Sequence, residues 1–219
     1  MTTFDEALAT IRKFGSGSEL TRRIASMELS LQSIQRDAAS RFVTNEGITP
    51  ATLSAALLIK EASGQIDVVV HAVGILTSLP YILDEHEVIE SLSLGAGNTG
   101  RAHDLETDRQ IAEFKFIQWR GGAESIRQNG VFVDLFNLAT ADTIKRRVLY
   151  VVGKQTPLRF FNNKRAISSV LSKDSAIAKR FRSLHGDTFT TVRDYYESVS
   201  SSVEIVDLVD VVPVFRPVT

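Results

Sequence analysis

Three polar residues, Asp104, Glu113 and Lys115, carry the chemistry that this sequence offers most clearly. Two carboxylates that converge can hold a hard divalent cation, and an ammonium beside them can steady a phosphate or a hydroxide. Mg²⁺ keeps several of its waters and is commonly held by one or two carboxylates together with substrate phosphate, so Asp104, Glu113 and the backbone carbonyl of Phe114 would suffice. Close to such an ion the ammonium form of Lys115 would be disfavoured, and the residue would position or help deprotonate an attacking water. The same three residues would equally suit a cross-strand salt-bridged set on an exposed sheet face.

Their positions depend on the elements around them. Residues 102–106 and 111–119 read as two strands joined by Thr107-Asp108-Arg109-Gln110, a polar connection of hairpin length. Side chains alternate along a strand, so Glu113 and Lys115 share a face with Ile111 and Ile117, while Ala112, Phe114 and Phe116 take the other. An alternating segment at 88–94 predicts a preceding strand. A helix over 123–140 follows Gly121-Gly122, and residues 147–152 form another strand. Helices fill about 157–185, and the valine-rich end reads as a last strand, placed at an edge by Pro213 and Pro217.

Upstream, Leu20, Ile24, Met27, Leu31, Ile34 and Ala38 recur at spacings of three and four, which predicts one amphipathic helix over 18–42 with Ser18 as its N-cap. That helix packs on its own core or pairs with a second copy in a homodimer. Thr49-Pro50 starts the next helical region, which runs from 51 to 83 as one broken or two consecutive helices around Gly64, with a buried strand at 68–70 as the alternative. The chain thus divides into a helical arm, 1–48, and an α/β domain, 49–219.

The order helix, strand, strand with Asp104, strand with Glu113-Phe114-Lys115, helix, strand resembles the αβββαβ core of the PD-(D/E)XK nuclease superfamily, the restriction-endonuclease-like fold, over about residues 50–153. The resemblance implies a mixed central sheet flanked by helices, with Asp104 and Glu113 as metal ligands for Mg²⁺, or Mn²⁺ in its place, and Lys115 serving the nucleophile. His103 stands where the family usually has a proline. Branches of the family carry a glutamine early in the following helix with an aromatic residue four further on; Gln128 and Phe132 match, and Gln128 would orient Lys115 or the water. A further acid often comes from the first helix, for which Glu61, Asp67 and Glu90 are candidates. The implied activity is metal-dependent hydrolysis of DNA phosphodiesters. Its rivals are a silent nucleic-acid-binding or protein-interaction domain on the same fold, and a phosphohydrolase of nucleotides.

Composition is compatible with this. The chain has 219 residues, no cysteine and a net charge of −1, which excludes disulfide frameworks and thiolate zinc sites and fits a reducing cytoplasm. No secretory signal opens it, and the uncharged run 68–83, interrupted by His71, Gly74 and Pro80, falls short of a membrane span. The charge is unevenly spread: residues 141–182 hold eleven Lys or Arg against two Asp, a net +9. Nucleic acid could dock there, with bases stacked on Phe160, Phe161 or Phe181, although core packing is the commoner fate of phenylalanine. Gly95-Ala96-Gly97-Asn98-Thr99-Gly100 fits a dinucleotide fingerprint literally, but that fingerprint requires a helix to open at its last glycine, and a strand is expected there.

Overall fold

The computed structural model describes residues 2–15, 17–32, 35–95, 100–116 and 124–216. The chain separates into two compact units, 1–67 and 68–219, with the division inside a long helix rather than in the turn near residue 48. The first unit is helical: α1 (Phe4–Phe14), α2 (Gly17–Ser30), α3 (Arg36–Asn45) and the opening turns of α4 (Pro50–Ile82). Thr3 and Glu6 form a reciprocal capping box that satisfies two of the orphan amides at the start of α1. Arg23 ties the unit together: its guanidinium donates to the carbonyls of Phe14 (2.6 Å) and Glu46 (3.1 Å) and lies over the Phe14 ring.

Two sequence expectations fail in the helices. The periodic segment 18–42 forms two helices, α2 and α3, and Ser18 lies inside α2 instead of capping it; Ser33 and Ile34 lie outside the described residues. The seam a dimer would need is therefore not one continuous helix. Conversely, α4 runs unbroken for 33 residues through Gly64 and Gly74. A helical glycine costs only about 1 kcal/mol relative to alanine, too little to break a helix of this length. Gly74 also has a packing role, since a Cβ there would stand 2.7 Å from the Phe116 ring. By length and apolar composition α4 is one helix capable of crossing a membrane, with a mean hydropathy of 1.4 over its best window.

The second unit is built on a five-stranded sheet. Strands β1 (Ile89–Leu92), β2 (Leu105–Thr107) and β3 (Gln110–Lys115) form an antiparallel meander; β4 (Arg146–Val151) and β5 (Glu204–Asp207) continue it in parallel, in the spatial order β1-β2-β3-β4-β5. Only two residues, Asp108 and Arg109, separate β2 from β3, so these strands can only be antiparallel. The route from β3 to β4 includes α5 (Glu124–Ala139), long enough for a parallel crossover. The remaining helices are α6 (Gln155–Phe161), α7 (Ile167–Val170), α8 (Ser175–His185), α9 (Val192–Val199) and α10 (Leu208–Val211), followed by a 3₁₀ turn at Pro213–Phe215.

Alternation along the strands produces two cores. On one face Ile111, Leu149 and Val151 pack with Phe132, Leu135 and Phe136 of α5. On the other, Ala112, Phe114, Val148 and Tyr150 pack with Ile75 of α4 and Leu208 of α10. Phe160, Phe161 and Phe181 are buried in the first core, so none of them offers a stacking platform to a base. The C-terminal strand is at an edge but stops at Asp207. That carboxylate accepts hydrogen bonds from the amides of Gly153, Lys154 and Val209, capping α10 and turning the chain, so Pro213 falls in the 3₁₀ turn rather than in a strand.

Candidate active site

The C-terminal end of β3 gathers charge that an ordinary core excludes. Glu113 and Lys115 point to the α5 face, as alternation requires, in register with Leu149 and Val151 of β4. Asp104, expected within a strand over 102–106, instead precedes β2 in a bend, opposite this end of β3. Its Oδ2 accepts a hydrogen bond from the amide of Phe114 at 3.0 Å, which fixes the carboxylate beside the main chain between Glu113 and Lys115. The Lys115 carbonyl accepts from Val152 on the β4 side at 3.1 Å. Since carbonyls alternate in direction along a strand, the Phe114 carbonyl faces the opposite edge, toward Asp104.

Each of the three side chains has a partner outside the trio. His71, on α4, places Nε2 at 3.4 Å from Asp104 Oδ1. His103 Nδ1 lies 3.1 Å from Glu113 Oε1. Lys115 Nζ pairs with Asp134 Oδ2 of α5 at 2.7 Å.

These contacts determine which groups carry charge. Burial, helped by the Asp134 and Asp104 carboxylates and opposed by His103, pushes the Glu113 carboxyl up to about 7. Burial raises Asp134 as well, with Lys115 acting against it. For Lys115 burial disfavours the ammonium, but the carboxylates of Asp134, Asp104 and Glu113 together outweigh that, and the pKa stands above the usual lysine value. Without a metal ion beside it, the nearest charge to Lys115 is an anion, which favours the ammonium. Hydrogen bonding to Asp104 raises His71, against the effect of its own burial.

The other sequence candidates lie elsewhere. Gln128 does not orient Lys115; its amide oxygen accepts a hydrogen bond from Arg165. Glu90 is exposed on β1 and pairs with Lys145 at 2.6 Å, which also holds Glu106 at 2.9 Å. Glu61 and Asp67 are exposed on α4, in the N-terminal unit. The additional acid of this cluster is Asp134, from the helix after β3. A lone carboxylate inside the apolar run Val131-Phe132-Val133-Asp134-Leu135-Phe136 was the available signal for it. The literal glycine fingerprint falls largely on residues 96–99, outside the described part.

Among the described residues no group of three or more His, Cys, Asp or Glu side chains is arranged to hold a metal ion. Comparison with known proteins finds no matching family model, no matching curated protein and no matching solved structure.

Proposed function

We propose that the chain is a restriction-endonuclease-like, metal-dependent nuclease that hydrolyses DNA phosphodiester bonds at Asp104, Glu113 and Lys115. The observation that carries this reading is the 3.0 Å hydrogen bond from Phe114 N to Asp104 Oδ2, because it puts one acid at the main chain between the other acid and the lysine. The element order from α4 to β4, with a meander of three strands and a parallel fourth behind a crossover helix, is what the PD-(D/E)XK resemblance leads one to expect.

The residues fit a hard cation. Two carboxylates and a carbonyl are the donor types that Mg²⁺ or Mn²⁺ accepts, with phosphate and water completing the shell. The negative field of Asp104 and Asp134, which raises Glu113, is relieved by positive charge. Asp104, Glu113 and the Phe114 carbonyl would hold the ion, which when bound would polarise the scissile phosphate and acidify a water. Lys115, held as an ammonium by Asp134, would stabilise negative charge developing on the phosphate rather than remove a proton. His103 and His71 would release or retain the two carboxylates as the ion arrives.

A second reading is a silent nucleic-acid-binding or interaction domain on the same fold, favoured by the partners that Glu113 and Lys115 already have within the protein. Two measurements on the full chain separate the readings. Saturable Mn²⁺ binding that is lost in Asp104→Asn supports the nuclease. So does cleavage of plasmid or oligonucleotide DNA in Mg²⁺ that falls at least about a hundredfold in that variant, the scale of losing a charge-stabilising group. Unchanged cleavage in Asp104→Asn, or a wild-type chain that binds no Mn²⁺, would overturn the proposal.

A further inference from the structure

The second unit holds a cavity of about 860 Å³ between α7, α8 and the loop after α8, formed by residues the nuclease reading does not use. Its volume falls in the range of small-molecule pockets, roughly 300–1,000 Å³. Ile167, Leu171, Phe181 and Phe189 supply apolar walls, and Ser172, Ser175, Lys179 and Arg182 supply hydroxyls and positive charge. Ser175, Lys179 and Arg182 follow one another at helical spacings of four and three, so they share one face of α8.

Several cations of the basic segment are occupied. Lys145 holds Glu90 and Glu106, Arg146 holds Glu204, Lys154 holds Asp210, Arg165 holds Gln128, and Arg180 holds Asn137 and Thr140. Lys179 and Arg182 are exposed and have no hydrogen-bond or ion-pair partner among the described residues. Two free cations on the rim of a concave apolar surface match an anion that carries a flat apolar body. One acid, Asp187, on the loop after α8, also lines the cavity.

We propose that this cavity seats a nucleotide of a single nucleic-acid strand, with Lys179 and Arg182 on its phosphates and the half-buried Phe189 ring against its base. A single strand fits better than a duplex: the walls of Ile167, Leu171 and Phe189 gain only from an unstacked base face, and a duplex would present phosphates alone. Phe189 is braced for stacking, being packed T-shaped against His185 and Tyr195 with ring centroids 5.4 Å away in each case. The choice of a nucleic-acid ligand rests on the nuclease reading, and the lining of the cavity points to the strand form that enzyme would grip.

The test is fluorescence anisotropy of the full chain with a labelled oligothymidylate in EDTA, so that binding is read without cleavage. Lys179→Ala with Arg182→Ala is expected to weaken binding at least tenfold and to flatten the slope of log affinity against log salt by about 1.4, two contacts at roughly 0.7 each on a single strand. Both side chains are exposed, so the melting temperature should not move. Phe189→Leu is expected to weaken binding about fivefold or more, the low end of a stacked base. Arg12→Ala with Lys13→Ala, an equal charge change on α1, should leave affinity within twofold. Equal losses in the two charge variants, tighter binding of duplex than of single strand, or a mononucleotide bound as tightly as the oligomer would each overturn the proposal. Failure of the nuclease reading appears separately, as absent cleavage in Mg²⁺ with strand binding intact.

Discussion

Both ends of β3 bury polar groups, and they do so in opposite ways. At the N-terminal end Gln110 is fully buried, and its amide donates to Glu87 Oε1 at 2.8 Å and accepts from the Tyr150 hydroxyl at 2.9 Å. Thr107 completes the set by donating to Glu87 at 2.5 Å. Burial would raise Glu87, yet hydrogen bonds from Thr107, the Asp84 amide and Gln110 hold it below the usual carboxylate range. At the C-terminal end Glu113 receives one histidine and faces two other carboxylates, and its pKa rises to about 7. One end is a network of neutral donors satisfying a single charge, a structural arrangement. The other keeps three acids close to one lysine and two histidines, so desolvation and mutual repulsion of the carboxylates are relieved by protonation instead of by neutral donors.

The largest test of this contrast is to remove the one fixed cation. Lys115→Met would leave Asp134 buried beside apolar side chains, and breaking such a pair is expected to destabilise by about 3 kcal/mol; adding Asp134→Leu should restore most of the loss. Urea unfolding of the two variants checks this, and a double variant no more stable than the single one would contradict the assigned pairing.

Next come two isosteric changes with opposite signs. Glu113 has its folded pKa above its unfolded value of 4.5, so the folded state binds more protons between pH 4.5 and about 7, and stability from this group falls as pH rises through that window. In EDTA at pH 8, Glu113→Gln is therefore expected to stabilise by up to about 3 kcal/mol, with the gain vanishing near pH 4.5. For Glu87 the folded pKa is depressed, its contribution is present at neutral pH, and Glu87→Gln is expected to destabilise by about 1 kcal/mol. Thermal melts of both variants across pH 4.5 to 8 would expose an error in either sign. The smallest expected effect is Tyr150→Phe, which leaves the Gln110 carbonyl oxygen without its hydroxyl donor at a cost of about 1 kcal/mol. It should leave the pH profile of Glu113 unchanged, and a shift there would mean the two ends are coupled.

Much of the sheet was legible because its signals are local. Alternation from 111 onward and the short polar connection 107–110 indicated a hairpin, formed with its turn at Asp108-Arg109, and the helix expected over 123–140 is α5. Asp104, Glu113 and Lys115 could be singled out for the same reason. Helix continuity was less legible: periodicity marked 18–42 as one helix where two form, and Gly64 as a break where none exists, since both outcomes turn on energies of about 1 kcal/mol that packing easily overrides. Asp134 and His71 were passed over because their roles depend on partners distant in sequence, Lys115 and Asp104.

The order of residues alone put Glu113 and Lys115 on one face of a strand, because side chains along a strand alternate with a period of two. Only the tertiary structure decided their charges. Lys115 stays an ammonium because α5 brings Asp134 to 2.7 Å, and Glu113 is driven toward neutrality because burial and two carboxylates converge on it. Protonation responds to desolvation and to charges across space, neither of which has a pattern along the chain.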